Sequence, residues 1–367
     1  MSDIKRIEIK GYKSLKDSDM GLNALNVLIG ANGAGKSNFI SLFELLGQII
    51  ENNLELFVPA SGGADAFLHF GQKFTHEIYV RIYFDKIGYL CRLIPDADDK
   101  LLFSEENCHS LGKDDKISCE ENLGRGHKET KLHHQAGTFP GKTATLLISS
   151  IADWGIYHFH DTGHSAKMKL TNRTDDNIRL HPDASNLAAY LYYLKKACPS
   201  HYQNIVDAVR MVAPFFDTFS LVPYRLNPEH IRLAWKEKGC ASNFNASALS
   251  DGTLRFVCLA TLLLQPELPS VILIDEPELG LHPYAIKLLS ALLKSASEKS
   301  QVIISTQSVT LVNQFDPSDI LIADREGAQT VFKRPDKEKL ASWLEDYSLG
   351  ELWEKNVIGG RPAWVPK

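Results

Sequence analysis

The stretch Gly30-Ala31-Asn32-Gly33-Ala34-Gly35-Lys36-Ser37 constrains the fold more than any other part of this 367-residue chain. It satisfies G-x-x-x-x-G-K-[ST] at every fixed position. It lies between ALNVLIG (24–30), a continuous apolar run suited to a buried strand, and NFISLFELLGQII, where Phe39, Leu42, Phe43 and Leu46 recur at helical spacing. In the order strand, glycine loop, helix, the backbone curls so that successive N–H groups point at a phosphate, aided by the positive end of the helix. Gly30, Asn32, Gly33, Ala34, Gly35 and Asn38 are the expected lining. Lys36 is expected to span the β- and γ-phosphates of a nucleotide, and the Ser37 hydroxyl to ligate Mg²⁺.

A second buried strand, VILID, ends in Asp275 with Glu276 immediately beyond it. Both carboxylates therefore emerge at the carboxyl edge of a sheet, where open α/β folds bind ligands. Asp275 is expected to hold Mg²⁺ through water, and Glu276 to orient and deprotonate the water that attacks the γ-phosphate. A plain helix cap before Pro277 is the alternative. Well over half of the chain separates Lys36 from Asp275, too much for a compact GTPase-like core but natural where other elements are inserted.

Between them, ALSDGTLRF places Ser250 and Gly252 at the start of an apolar helix, TLRFVCLATLLL. A hydroxyl, free amides and a helix dipole there form a second anion site. One phosphate loop already serves one side of a nucleotide. The economical reading is that this helix end caps the γ-phosphate of ATP held by another copy of the chain.

The remaining sequence reads as follows. IKRIEIKGYKSL alternates like a half-exposed strand, and HEIYVRIYFDKIGYLCRLIP (76–95) reads as a hairpin turning at Asp85 to Gly88. Residues 96–142, polar and rich in Gly and His, read as an irregular insertion. ASNLAAYLYYLKKA and HYQNIVDAVRMVAPFF read as helices, FSLVPYRL and HIRLAWKEKG as strands. The last third alternates: a helix from about 250, VILID, a helix near 283–297, then strands QVIIST and DILIAD. The segments expected are 1–95, a β-subdomain with the phosphate loop; 96–245, an insertion with a helical and β lobe; 246–335, the helix start, acidic strand and switch of the same core; and 336–367, a helical tail.

Composition excludes several classes. No apolar run approaches the roughly 18 to 20 residues of a membrane helix, and MSDIKRIEIK is charged where a secretion signal is apolar. A cytoplasmic location without membrane contact is expected. The six cysteines form no C-x-x-C pair and read as free thiols. Forty basic against 45 acidic residues give a net charge of -5 with no long basic block, so nucleic-acid binding is possible but not written in the composition.

Together the motifs resemble the ATP-binding-cassette (ABC) superfamily, in its soluble branch with the structural-maintenance-of-chromosomes (SMC), RecF and overcoming-lysogenisation-defect ATPases. The marks are GYKSLKD, GKSN (35–38), LSDGTLR as a variant signature, and IDEPELGLHP as acidic strand with D-loop, in family order over residues 4–324. FLHFG (67–71), YHFHDT (157–162), ASNLAAYLY (184–192), STQS (305–308) and YSLGELWEKNVIGGRP (347–362) resemble the bacterial "predicted ATPase" (AAA family) group. The resemblance implies an α/β P-loop NTPase with an ABC-type core, a mostly parallel central sheet, an antiparallel β-subdomain and an inserted helical lobe.

It further implies ATP and Mg²⁺ as cofactors, and an ATP-dependent homodimer in which Ser250 and Gly252 touch the γ-phosphate in trans. Arg255 would anchor the signature helix or couple it to the opposite subunit. Leu279, Gly280 and His282 fall in the D-loop, though His282 also suits a simple surface position. Many relatives place a histidine after the strand following the acidic motif; here Gln307 stands there, able to donate a hydrogen bond but not to carry a proton. Gln307 is expected to sense the γ-phosphate with slow turnover, or else to cap the next helix. Gln72 and Gln135 are both candidates for the Q-loop glutamine. His158, His160, Asp161 and His164 read as a lobe strand and turn near the nucleotide or dimer surface, or as a metal site.

Two classes of function follow: an ATP-dependent dimerising switch of DNA repair or anti-phage defence, or the ATP-binding subunit of a membrane transporter. A nucleotide-dependent scaffold or antitoxin is a weaker third. With no nuclease-like acidic cluster after the core, any cutting is expected from a separate effector, such as a nuclease encoded beside it.

Overall fold

A computed structural model describes residues 3–112, 117–136 and 142–360. The chain divides into two compact units, one of residues up to Trp154 together with those from Asp316 onward, the other Gly155–Phe315.

The first unit opens with β1 (Arg6–Tyr12), β2 (Leu15–Gly21), β3 (Leu25–Ile29), α1 (Lys36–Ile50) and α2 (Leu54–Ala60). It continues with β4 (Ile78–Tyr83), β5 (Ile87–Pro95), β6 (Leu101–Leu111), β7 (Ile117–Gly124), α3 (Leu132–Ala136) and α4 (Lys142–Ala152). An antiparallel sheet runs β2-β1-β4-β5-β6-β7. Its registers align Ile7, Ile82, Tyr89 and Cys108 in one row and Ile9, Val80, Cys91 and Glu106 in the next. All eight are fully buried, as the period-2 pattern of a one-sided sheet requires. Glu106 is a buried carboxylate, satisfied by the Tyr89 and Thr130 hydroxyls, the Lys131 N–H and the His127 ring.

The strands β6 and β7 correct the sequence reading of residues 96–142 as irregular. Apolar alternation fails there because the buried run Glu106 to His109 is largely polar. Pairing with β5 overrides composition. All six cysteines are free, as expected.

Strand β8 (Trp154–Tyr157) leads into the second unit, which contains β9 (Thr171–Arg173), α5 (Leu187–Ala197), α6 (Pro199–Val212), β10 (Phe216–Phe219), β11 (His230–Arg232), β12 (Ala234–Glu237) and β13 (Asn243–Asn245). Then come α7 (Asp251–Leu264), β14 (Val271–Asp275), α8 (Pro283–Ser297), β15 (Gln301–Ser305) and α9 (Val309–Val312). Strands β14 and β15 pair in parallel, Asp275 opposite Ser305. FSLVPYRL is not the strand expected: only Phe219 belongs to one, because Pro223 can donate nothing to a ladder. HIRLAWKEKG is two strands, β11 pairing with β9 and β12 with β10 and β13.

The chain then returns to the first unit with β16 (Ile320–Glu326), β17 (Gln329–Lys333), α10 (Lys337–Leu340) and α11 (Leu349–Glu354). Strand β16 lies parallel to β3 and antiparallel to β17. The five residues of β3 are all buried, the polar Asn26 included, whose side chain is hydrogen-bonded to Asn23 and Arg334. Within YSLGELWEKNVIGGRP, the last two residues lie outside the described residues, as does the end of the 336–367 tail.

Candidate functional site

In the first unit, β3 delivers the chain into the phosphate loop and α1, 15 residues long, receives it. Gly35 precedes the helix in left-handed backbone (φ 104°), and a Cβ there would lie 2.1 Å from the Thr330 hydroxyl oxygen. Only glycine suits that position. Thr330 Oγ1 donates to the Ala34 carbonyl at 2.8 Å and bonds Ser14 Oγ at 2.7 Å. Asn38 Nδ2 donates to Ser14 Oγ at 2.8 Å. These side chains fix the helix start from beneath. Among the described residues nothing lies within 4 Å of where a Gly33 Cβ would be, so the loop is open to them on that side. Lys36 is buried, and its Nζ donates to the carbonyls of Gly30 at 2.6 Å and Ala31 at 3.1 Å. Gly30, Ala31, Asn32, Gly33, Ala34 and Gly35 thus form one loop leading to Lys36, Ser37 and Asn38 in the first turn of α1. Curled amides, a helix N-terminus and one held ammonium suit a polyphosphate.

In the second unit, the end of β14 is held by His160 and Ser305. His160 Nε2 donates to the Asp275 carbonyl at 2.8 Å, and the Ser305 hydroxyl donates to Asp275 Oδ1. Glu276 has positive φ (43°), unusual for a side chain of this size, and its N–H donates to the Ser305 carbonyl at 3.0 Å. Gln307, exposed after β15, donates from Nε2 to Glu276 Oε1. The glutamine therefore reaches the carboxylate expected to act as base. The bare helix-cap role falls to its neighbour Ser308, which accepts from the Leu311 N–H at the start of α9.

Sequence reasoning passed over Glu278. It is 8% exposed; Oε1 accepts from the Thr306 hydroxyl and, at 3.2 Å, from the Gln307 N–H, while Oε2 has no partner among the described residues. Burial pushes its carboxyl above the ordinary value, and the nearby Glu276 charge adds to the rise. Glu278 thus ties the turn after β14 to the backbone of Gln307. A carboxylate inside IDEPELG was the available signal, but its partners are visible only in three dimensions.

The helix α7 begins as expected, with Ser250 as N-cap accepting from the Thr253 N–H at 3.1 Å. Ser250 is exposed. Gly252 packs so closely on the D-loop that a Cβ would stand 2.3 Å from the Gly280 carbonyl oxygen. Arg255, buried, donates from Nε to the Phe159 carbonyl at 2.9 Å, from Nη2 to the His160 carbonyl at 3.0 Å, and from Nη1 to the Leu279 carbonyl. It fastens signature helix, YHFHDT segment and D-loop into one piece, matching the anchoring role. Leu279 is exposed beside this staple, and His282 caps α8, its Nδ1 accepting from the Tyr284 N–H.

His158, His160, Asp161 and His164 do not converge: among the described residues no group of three or more His, Cys, Asp or Glu is placed to hold a metal. His160 instead supports the acidic strand. Of the Q-loop candidates, Gln72 is engaged through Nε2 with Asp99, and Gln135 lies in α3.

Residues 3–204 match a model described as "AAA ATPase domain", and residues 146–313 one described as "AAA domain, putative AbiEii toxin, Type IV TA system". Two curated relatives are phosphate import ATP-binding proteins PstB 2. That of Trichormus variabilis is 25% identical over 40% of this chain and 54% of its own; that of Ligilactobacillus salivarius is 27% identical over 30% and 45%. The chain spans about half the length of these relatives. Among solved structures, the Smc head domain with an extended coiled coil bound to the C-terminal domain of ScpA, derived from Pyrococcus furiosus, shares the fold. Its TM-score is 0.59 at 15% identity, covering 94% of this chain and 99% of that one. The SmcHead bound to the C-winged helix domain of ScpA gives 0.55 at 14% identity, covering 92% and 99%. The fold is thus that of an Smc-head-like P-loop NTPase, and the chain belongs to the AAA ATPase domain family.

Proposed function

We propose that this chain binds and hydrolyses Mg-ATP and works in the cytoplasm as an ATP-dependent dimerising switch in DNA repair or anti-phage defence. A separate effector, such as a nuclease or another operon partner, would carry out any cutting; nucleic acid is a possible further ligand. The observation that carries this reading is the set of contacts at Glu276, whose carboxylate receives the Gln307 amide at the tip of an acidic strand. In this reading Glu276 takes the proton of the attacking water and Gln307 orients it beside the γ-phosphate. Lys36 and the loop from Gly30 to Asn38 bind the phosphates, Ser37 and Asp275 supply oxygens to Mg²⁺, and Ser250 and Gly252 meet the γ-phosphate bound to a second copy. Bound there, Mg²⁺ would neutralise phosphate charge. The defence assignment draws support from the family description that names a toxin–antitoxin system.

Comparing Glu276→Gln with Lys36→Ala tests the switch. Glu276→Gln should slow hydrolysis by roughly 10² to 10⁴ while retaining ATP and accumulating as dimer. Lys36→Ala should lose nucleotide and dimer together. Two variants that both behave as wild type would instead leave a nucleotide-tolerant scaffold or antitoxin.

The PstB relatives favour a second reading, the ATP-binding subunit of a membrane transporter. Among the described residues no helix is long and apolar enough to cross a membrane, so such a subunit would need a membrane partner. Co-purification with an integral membrane protein would support it.

A further inference from the structure

We propose that residues 357–360, which follow α11, position the phosphate loop, with Gly360 as the positioning residue that seats Gly30. The proposal rests on the reading that the loop holds the triphosphate, and it gives the stretch YSLGELWEKNVIGG (347–360) the task of shaping that loop.

Gly30, the first residue of the loop, meets two backbone neighbours. A Cβ at Gly30 would stand 2.2 Å from the carbonyl oxygen of Ala323 in β16, the strand that lies beside β3. The second neighbour is Gly360. A Cβ there would lie 3.5 Å from the Gly30 Cα, 3.2 Å from Trp353 Nε1 and 3.0 Å from Ile322 Cγ2. Ile322 and Trp353 are buried, and Ile322 stands opposite Ile29, the residue before the loop, so these walls have little room to give. Trp353 Nε1 has no partner among the described residues, so the indole backs Gly360 by shape and not by a hydrogen bond. The consequence reaches the ligand site in one step, because the Gly30 carbonyl accepts from Lys36 Nζ at 2.6 Å. A displaced Gly30 displaces the ammonium that meets the phosphates.

The approach of the chain to Gly30 is specified residue by residue. A capping box starts α11: the Ser348 hydroxyl accepts from the Glu351 N–H at 3.4 Å, and the Glu351 carboxylate accepts from the Ser348 N–H at 2.7 Å. The helix buries Leu349, Leu352 and Trp353. At its end the Asn356 N–H donates to the Trp353 carbonyl and the Val357 N–H to the Leu352 carbonyl, both at 2.9 Å, and Asn356 takes left-handed backbone (φ 59°). Gly359 (φ 88°) and Gly360 (φ 81°) follow in the same region, which glycine enters without strain. Asn356 and Val357 are exposed, whereas Gly360 is buried against the loop. Cap, reversal and glycine pair together deliver a residue without a side chain to the one place where a side chain would push on Gly30.

Gly359→Ala and Gly360→Ala separate the loop contact from backbone strain. Both put a side chain at left-handed φ, but a Cβ at 359 has no described neighbour nearer than Asp324 Oδ2 at 3.6 Å. Calorimetric titrations with Mg-ATP and with Mg-tripolyphosphate are made at a temperature where both variants are folded. Gly360→Ala should bind each ligand about tenfold more weakly than wild type, and Gly359→Ala should stay within about twofold. Lys36→Ala should lose both ligands. Equal affinities in the two glycine variants, with both ligands lost in Lys36→Ala, overturn the proposal and leave the phosphate reading standing. Should Lys36→Ala bind both ligands like wild type, the phosphate reading fails and the proposal falls with it. Coupling of two sites is reciprocal, so the wild-type chain supplies a test that needs no variant to fold. Saturating Mg-ATP should slow amide hydrogen exchange about tenfold at residues 356–360 as well as in the loop. Slowing in the loop with unchanged exchange at 356–360 overturns the proposal.

Discussion

Replacing Arg255 with alanine withdraws three charge-assisted donors at once, from the carbonyls of Phe159, His160 and Leu279. Hydrogen bonds to charged groups contribute about 1.5 to 3 kcal/mol each, and a carbonyl left buried without a donor costs further. Against that stands the desolvation of the guanidinium, which holds its proton affinity below the ordinary value and is relieved on removal. The net loss expected is about 3 kcal/mol. For domains of about 150 to 250 residues each kcal/mol moves the melting temperature by about 2 to 4 °C, so the transition of the unit Gly155–Phe315 should fall by about 6 to 12 °C. Arg255→Lys keeps the charge but not the fork and should fall in between. Scanning calorimetry reads both. A shift below about 2 °C for Arg255→Ala, or equal shifts for both variants, would refute the view that Arg255 staples the signature helix to the D-loop.

Three further outcomes are expected. Because burial raises the Glu278 carboxyl above its ordinary value of 4.5, its ionisation costs folded stability; this penalty is absent below the unfolded value and grows as pH rises through the folded one. Thermal melts should therefore show Glu278→Gln gaining on wild type from pH 4 to pH 8, whereas a gain toward acid would reverse the sign. Gln307→Ala should slow hydrolysis about tenfold to a hundredfold with ATP affinity retained. The wild-type rate should show no inflection near pH 6.5, which an imidazole switch would produce. Gly252→Ala puts a methyl 2.3 Å from the Gly280 carbonyl oxygen and must displace the start of α7 or the D-loop. ATP-driven dimerisation, followed by analytical ultracentrifugation, should weaken while nucleotide binding at the loop persists.

What the sequence made legible is what is local in the chain. GANGAGKS carries its own strand, turn chemistry and helix, so loop, β3 and α1 could be read directly. VILID and the Ser250 cap were readable for the same reason. Strands β6 and β7 were not, because the buried Glu106 and His109 conceal their inward positions behind polar identities. Nor was the support of the acidic strand by His160, a contact across 115 residues that the H-x-H spacing does not encode. Glu278 shares that obstacle, being defined by a buried oxygen without a partner among the described residues, a property not encoded in residue type or spacing.

Completion of each nucleotide site by a neighbouring molecule is tested most directly by mixing two inactive variants, Lys36→Ala and Ser250→Arg, and measuring ATP hydrolysis. Neither variant alone should have a competent site, but a mixed dimer should have one, joining the intact loop of one protomer, with its bound ATP, to the intact helix tip of the other. With one competent site of two in each mixed dimer, mixing should restore a substantial fraction, up to about half, of the wild-type rate. No restoration where the two variants form a mixed dimer with ATP, or full hydrolysis by Ser250→Arg alone, would contradict completion in trans.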